Sequence, residues 1–360
     1  MQTHTLHLMK GLSDHVDFTH AVASRDATGA GFRVAKRIPA FRTPSWNADG
    51  SLALSPGLYF QSKSLHRRRK FDLVHLHFPD PMSHLASLAI PPQVPRVITW
   101  HAEITRHKRL LLFYRPMLRQ AISQAAAVIA PTPAHIRASR DLSSLESDPR
   151  LHVVPFGFDF SEFLAPHPDA TALRNGNPGR RIFALGRHVH YKGFEVLIKA
   201  MAMLPSDVSL ALGGEGPETA RLRKLASDLG VDGRVHFTGF IPQGKLPAHF
   251  QACDVFCLPS ITTAEAFGIV QVEAMACGKP VVGTRLNNGV DFVNEDGKIG
   301  RTVPPGDPVA LAGALREVLD NRAKATQWGA AGKAKALAEF SLDQMTERML
   351  GIYRIAVDGS

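Results

Sequence analysis

Three cysteines in 360 residues, Cys253, Cys257 and Cys277, are too few and too odd in number for a disulfide framework, and all three crowd into one short stretch. A reducing cytoplasm suits them best. No uncharged apolar run reaches the length of a membrane span, and the first residues, MQTHTLHLMKGL, carry no apolar core of a signal peptide. No internal repeat and no low-complexity tract occurs, so neither a repeat array nor a long linker is expected. Zinc, helix-turn-helix and ribonucleoprotein motifs are missing and the basic runs are not interleaved with aromatics, so nucleic acid is not the expected partner.

What is there reads as a soluble globular chain, 44% hydrophobic and 21% charged. At 360 residues it is long for one core, and two domains are expected. The net charge of +10 is lopsided: residues 1–160 hold 20 Lys and Arg against 11 Asp and Glu, whereas residues 161–360 hold 22 against 21. Such an excess points the first half at an anionic partner, a membrane or a phosphorylated acceptor. Residues 105–120, TRHKRLLLFYRPMLRQ, set five Lys and Arg around Leu110, Leu111, Leu112, Phe113 and Met117. That composition suits an interfacial segment on anionic lipid. A core-packed helix with a solvated basic face is the plainer alternative.

The chain is organised around residues 253–284, CDVFCLPSITTAEAFGIVQVEAMACGKPVVGT. Residues 254–259 are a short run rich in β-formers, a buried strand. A loop with Ser260, Thr262 and Thr263 follows. Phe267, Val270, Met275 and Ala276 then fall on helical spacing and stop at Gly278, the left-handed residue expected past a helix end; Pro280 leads into the next strand. Strand, loop, helix, strand is the unit of a parallel sheet, in which ligands sit outside the carboxyl ends of the strands. The amides around Phe267, Gly268 and Ile269 are first-turn donors and Gly268 permits close approach, so an anion is the natural guest. Glu265 alone reads as a carboxylate favoured by the helix dipole. Glu273, about two turns on, adds a second. A diphosphate on the amides between them can offer a sugar to one carboxylate and a ribose to the other.

Elsewhere, Leu6, Met9 and Leu12 predict a helix that begins at once, with no strand and no Gly-rich loop ahead of it. Residues 17–22 suit a strand; residues 40–60 are too rich in Pro and Ser to assign. Residues 71–78, FDLVHLHF, make a strand with His75 and His77 on one face. Such a pair can bind metal, but no third ligand is in view, and packing or a site edge is expected instead. Residues 96–100, RVITW, are a buried strand ending at His101, and residues 126–131 and 152–155 are two more. Residues 182–186, IFALG, open into Arg187 and then Lys192-Gly193, with a helix after them. Two cations at a strand end suit a departing diphosphate, whose charge grows as it leaves. Residues 208–217 read as strand and turn with a helix from Glu218, and residues 234–242 as a short strand and loop. In RLNNGV, residues 285–290, Asn and Gly tolerate a positive φ. Pro308 opens a helix, and the last helix, residues 341–356, carries Leu342, Met345, Met349, Ile352 and Ile355 on one stripe.

Glu265-Ala-Phe-Gly268 followed by Glu273 resembles the E-x7-E signature of the retaining glycosyltransferases of family 4. Arg187 and Lys192-Gly193 resemble that family's GR-x4-KG motif, and Gly-Glu-Gly-Pro at 214–217 its G-x-GP turn. The motifs stand in the family's order and the likeness covers nearly all of the chain. It implies an α/β fold of the GT-B type: two facing Rossmann-like domains with the active site in the cleft. The acceptor domain is expected over residues 1–158, the nucleotide-sugar domain over 159–340 after the linker-like residues 155–159, and a helix crossing back over 341–360. The implied reaction moves a hexose from a nucleotide-sugar donor to a glycan or lipid-linked acceptor with retention, in cell-envelope polysaccharide assembly. Glu265 then contacts the transferred sugar, Glu273 holds the ribose, and Arg187 and Lys192 meet the leaving diphosphate beside the backbone of Phe267, Gly268 and Ile269. Phe240 and Ile241 mark where backbone reads the base, and His101 reaches the reaction centre. The chain contains no Asp-x-Asp, the carboxylate pair on which glycosyltransferases of the other fold hold a cation, so no metal and no cofactor is required. An anionic membrane surface is a further partner, with a cytoplasmic location, peripheral on the inner face of the membrane.

Two departures matter. In the family a first strand and a Gly-Gly loop precede a helix like the opening one, so a longer native start is expected; without that strand a sheet keeps a long unpaired edge. RLNNGV replaces a Gly-Gly turn. Two alternatives stay open, a UDP-sugar 2-epimerase of the same fold and a catalytically silent GT-B partner protein.

Overall fold

Short apolar runs become parallel strands in both of the units into which the chain divides, Met1–Phe158 with Leu342–Ser360, and Asp159–Ser341. The computed structural model describes residues 2–24, 31–34, 38–47, 53–78, 80–101, 108–176 and 179–359.

In the first unit α1 (Gln2–Leu12) buries Leu8, Met9 and Leu12. Strands β1 (His20–Ser24), β2 (Gly31–Val34) and β3 (Ile38–Pro44) make a small sheet in which β3 is central, parallel to β1 and antiparallel to β2. The Pro- and Ser-rich stretch left unassigned holds the end of β3, a ribbon of β4 (Trp46–Asn47) and β5 (Ala53–Leu54), and the start of α2 (Gly57–Arg69). Arg67, Arg68 and Arg69 occupy the last turn of α2, where cations offset the dipole.

Next come β6 (Val74–Phe78), α3 (Pro81–Ser87), β7 (Arg96–Trp100), α4 (Lys108–Gln124), β8 (Ala127–Ala130), α5 (Pro133–Ala138) and β9 (Leu151–Val153). The four strands pair in sequence order, all parallel. Pro81 and Pro133 stand at the first helical positions of α3 and α5, and the N–H groups of Met82 and His135 donate to the capping side chains of Asp80 and Thr132. Val97, Ala127 and Ile129 pack on Leu8 and Leu12 and on Met345, Met349 and Ile352 of the closing helix Leu342–Asp358. Ile98, Trp100 and Val128 face the other way, onto Leu118, Ile122, Ile136 and Leu142. Strands covered on both faces need no polar alternation, which is why RVITW and AVIA read as continuous apolar runs.

The stripe predicted on the closing helix is off by one position at its end. Ile355 is 64% exposed, whereas Tyr353 and Ala356 are buried. One residue is about 100° of turn, so Ala356 and not Ile355 continues the face of Met345 and Met349. Among the described residues β1 and β6 are edge strands, and both line a groove of about 1510 Å³ with residues of α1, α2, α3 and the closing helix.

The second unit opens with α6 (Ser161–Leu164) and α7 (Pro168–Asn175). Then strands and helices alternate: β10 (Arg180–Leu185), α8 (Phe194–Met201), β11 (Val208–Gly213), α9 (Thr219–Asp228), β12 (Val235–Gly239), α10 (Leu246–Ala252), β13 (Val255–Leu258), α11 (Ile269–Ala276), β14 (Val281–Thr284), α12 (Gly289–Val293), β15 (Gly300–Val303), α13 (Pro308–Asp320) and α14 (Arg322–Glu339). The closing helix of the first unit is α15. The strands lie in the order β12-β11-β10-β13-β14-β15, all parallel. The order grows from β10 through β11 to β12 and then restarts at β13 on the other edge of β10, so the carboxyl ends of β10 and β13 flank the topological switch point. α8 shows how the sequence builds such a layer: Phe194, Leu197, Ile198 and Met201, at helical spacing, are all buried. Asp307 caps α13, with Pro308 at its first position.

The three cysteines are free thiols. Burial pushes Cys253 up to about 11 and Cys277 up to about 12, so both stay protonated and unreactive. No helix among the described residues is long and apolar enough to cross a membrane.

Candidate active site

The loops that leave β10 and β13 carry most of the residues singled out in the second half. After β10 the chain passes Arg187 and a short turn, His190–Lys192, and reaches Gly193 with φ of +68°. A Cβ there would stand 1.9 Å from the carbonyl oxygen of Pro259, so the two loops touch through backbone and glycine is required. This contact brings Lys192 to Glu265: Nζ donates to Oε2 at 2.5 Å, and the hydroxyl of Ser260 donates to the same oxygen at 3.0 Å. Both members of the ion pair are nearly buried, with side chains 12% and 11% exposed. Asn288, which caps α12, donates Nδ2 to the carbonyl oxygen of Glu265 at 2.7 Å. Asn287 before it takes φ of +55°, the positive value that the RLNNGV turn was expected to keep. Ser260 and Asn288 were not foreseen as partners of Glu265, since neither stands in a motif with it.

Glu265 lies ahead of α11 rather than on it. Gly268 has φ of +70° and ψ of +58°, which stops the helix from running back, and a Cβ there would strike Cδ2 of Leu258 at 2.6 Å. The ion pair with Lys192, not the helix dipole, therefore holds Glu265. The N–H groups of Gly268, Ile269 and Val270 make no hydrogen bond among the described residues, so three donors stand free at the helix start. Phe267 is buried edge-on against Phe340 at 5.7 Å between centroids, so its side chain belongs to the core and only its backbone borders this turn. Ile269 is 41% exposed.

Glu273 follows one turn into α11. Its Oε2 is buried without a hydrogen-bond partner among the described residues, and burial raises the carboxyl to about 7. Arg187 is exposed and its side chain makes no ion pair among the described residues. Phe240 projects from the loop after β12, 76% exposed, while Ile241 is buried against Gly213.

In the first unit His101 follows β7 directly and is 9% exposed. Its Nε2 shares a hydrogen bond of 2.8 Å with Nδ1 of His77, which stands near the carboxyl end of β6. His4, on the first turns of α1, brings its ring to 5.2 Å from that of His101, and Phe156 stacks on His101 at 6.0 Å. Burial, with His77 and His4 beside it, holds His101 down to about 2. Burial likewise holds His4 down to about 3 and His77 to about 4. His75 stacks on His77 at 4.6 Å, the shared face expected of alternate strand residues. Both its ring nitrogens are engaged, by Tyr353 at 2.6 Å and Thr99 at 2.7 Å. His4 was missed, because one histidine in an amphipathic helix gives no signal of what it will meet.

Residues 102–107, the rest of the segment after His101 and the start of the basic stretch, lie outside the described residues, as do the side chains of residues 108–112. Farther along α4, Arg115 is held by the buried carboxylate of Asp141 at 3.0 and 3.3 Å, so one of the five cations of that stretch is committed to an ion pair. Phe113 is 82% exposed on the same helix.

The family description "Glycosyl transferases group 1" matches residues 172–335, and "Glycosyltransferase Family 4" matches residues 1–162. The O-antigen chain mannosyltransferase C of Escherichia coli is 26% identical over 298 residues, 82% of this chain and 79% of that protein. The phosphatidyl-myo-inositol mannosyltransferase of Mycobacterium leprae (strain TN) is 30% identical over 320 residues, 86% of this chain and 80% of its own. Among solved structures, Anabaena Alr3699/HepE in complex with UDP is similar with a TM-score of 0.76 at 22% identity, covering 97% of this chain and 94% of that one. With the two family descriptions matched in order along the chain and a relative 30% identical over 86% of it, the chain belongs to the family 4, group 1 glycosyltransferases.

Proposed function

We propose that the chain moves a hexose from a nucleotide-sugar donor to a glycan or lipid-linked acceptor, with retention of anomeric configuration, in the assembly of a cell-envelope polysaccharide. One observation carries the reading: among the described residues α11 offers three free amides at its start and, one turn on, a buried carboxylate oxygen with no donor. A diphosphate answers the first need and a ribose diol the second. Glu265 accepts from hydroxyls of the transferred sugar, and Phe240 and Ile241 border the base through their backbone. The bond between the anomeric carbon and the leaving diphosphate oxygen breaks, and Arg187 and Lys192 stabilise the charge that gathers there. The acceptor oxygen bonds to that carbon on the same face, and its proton passes to the leaving phosphate, so no enzymic nucleophile is needed. His101 takes its role at the reaction centre from the family resemblance. The diphosphate charge is met by two cations and by amides, and no metal takes part.

The relatives named as mannosyltransferases of an O-antigen chain and of phosphatidyl-myo-inositol favour mannose as the first sugar to try and a glycan or lipid as the acceptor class to try with it. Incubation with a panel of nucleotide sugars, with and without membrane lipid extract, tests the reading. Nucleotide release that depends on the extract and survives EDTA is expected. Epimerised sugar formed without acceptor would move the site to the 2-epimerase reading, and no turnover with any donor to the silent partner. Arg187→Ala and Lys192→Ala are each expected to lower turnover by about 10² to 10³ with a smaller change in donor affinity.

A further inference from the structure

We propose that His4, His77 and His101 form a site for one divalent first-row metal ion, Zn²⁺ foremost, in the N-terminal unit. One ring nitrogen from each lies within 4.8 Å of the other two. His77 Nδ1 and His101 Nε2 already stand 2.8 Å apart, and His4 Nδ1 is buried with no partner among the described residues. Tetrahedral Zn²⁺, at about 2.0–2.1 Å from each nitrogen, spaces its ligands roughly 3.3–3.4 Å apart. An ion between the rings therefore opens the His77–His101 pair by roughly half an ångström and draws His4 inward.

The rings are disposed for this. The plane of His4 is turned 77° from that of His77 and 71° from that of His101, so His4 stands edge-on to the other two rings instead of stacking on them. His77 and His101 sit near the carboxyl ends of the adjacent strands β6 and β7, and His4 is on a helix packed on that sheet, so all three ligands stand on or next to regular elements. Three imidazoles suit Zn²⁺ and leave its fourth position to water. His75 is not a fourth ligand, because Tyr353 and Thr99 occupy both its nitrogens. His77 meets His101 just past the end of the neighbouring strand β7 and His4 on a helix 73 residues earlier in the numbering.

A metal here ties α1 to β6 and β7. It also takes the ring of His101 out of service, so Zn²⁺ inhibits sugar transfer; this second consequence rests on the function proposed above, and the binding does not.

The test uses the tag-free full chain, stripped with chelator and titrated with Zn²⁺ by calorimetry and with Co²⁺ by visible absorption. One equivalent per chain, a dissociation constant of micromolar or tighter, the bands of four-coordinate Co²⁺ and a rise in Tm are expected. His4→Ala removes no hydrogen bond of Nδ1 among the described residues, and it is expected to weaken binding at least tenfold, as is His77→Ala, with unchanged circular dichroism of the metal-free variants checking that each is folded. His190→Ala, exposed in the other unit, leaves binding unchanged. Full-strength binding in both His4→Ala and His77→Ala would assign the metal to surface imidazoles and overturn the site, as would the lack of a saturable single equivalent. Zn²⁺ inhibition of transfer that His4→Ala relieves supports the second consequence, and stimulation by Zn²⁺ overturns it. A chain that binds one Zn²⁺ but transfers no sugar leaves the site standing and rejects the transfer reading.

Discussion

A carboxyl held at about 7 by burial titrates close to neutrality, and Glu273 is such a group. Its folded value lies above the ordinary glutamate value of about 4.3, so between the two the folded state keeps a proton that the unfolded chain has released. Stability contributed by this group is present below about 4.3 and is lost as pH rises to about 7. A ribose diol that donates into Oε2 favours the ionised form and lowers the value. Nucleotide binding near pH 6.5 should therefore release protons, seen as a dependence of the calorimetric heat on the ionisation enthalpy of the buffer. Glu273→Gln should abolish that dependence, and Glu273→Ala should weaken the nucleotide by about 1.5–3 kcal/mol. Glu265→Ala should leave free nucleotide affinity nearly intact. A wild-type heat that does not vary with buffer would reject the ribose contact.

The Lys192–Glu265 pair makes a second residue-scale prediction. With both side chains nearly buried, removing one strands the other, so Lys192→Met or Glu265→Leu should cost about 3–5 kcal/mol. The double variant should cost less than the sum of the two, as a double-mutant cycle from denaturant unfolding can measure. Additivity would mean that the pair has no coupling. Lys192 and Glu265 were both legible as types at strand ends, but their contact spans 73 residues and arises only when β10 and β13 become neighbours. Asn288 and Asp141 were not legible as partners for the same reason, since their bonds to Glu265 and Arg115 span 23 and 26 residues and leave no local trace.

Among elements, those covered on both faces were the readable ones. β7, β8, β10 and β13 show as apolar runs, and Gly278 and Pro308 mark a helix end and a helix start as punctuation should. β3 was unreadable because it carries Pro39 and Pro44, which usually argue against a strand. α2 was unreadable because it buries only Leu58, Ser62 and Leu65 along 13 residues. α11 starts at Ile269, later than its apolar spacing suggested, because Gly268 takes a left-handed conformation. The same scale carries a prediction about the edges of β1 and β6, which have no strand partner among the described residues and line a groove. Backbone amides on such edges lack the protection of a ladder. Hydrogen exchange across His20–Ser24 and Val74–Phe78 should run faster than across Arg180–Leu185, which is paired on both sides. Equal protection would mean that another segment covers those edges.

At the scale of the molecule the informative quantity is the distribution of charge. Residues 1–160 carry an excess of nine positive charges, 20 against 11, while the remainder is nearly balanced at 22 against 21. Composition alone exposes this asymmetry, but not which cations are free to act. Arg115 is committed to Asp141, whereas Arg119, 65% exposed and 3.8 Å from the same carboxylate, and the 82% exposed Phe113 remain at the surface. An exposed aromatic among basic residues is the composition of an interfacial helix. Each Lys or Arg near an anionic surface adds about 1 kcal/mol, so Arg106, Lys108, Arg109 and Arg119 together suffice for reversible attachment. Vesicle co-sedimentation should show binding to anionic but not to neutral vesicles. It should weaken with salt, because charges farther apart than about 8 Å are screened at physiological ionic strength. Replacing Arg106, Lys108 and Arg109 by Ser should release the protein, and Phe113→Ser should weaken it further by removing apolar burial. Arg115→Ser is unsuitable as a probe, since it strands Asp141. Equal binding to neutral and anionic vesicles, or no loss in the triple variant, would leave this stretch as a solvated helix face and put the anionic partner of the first half elsewhere.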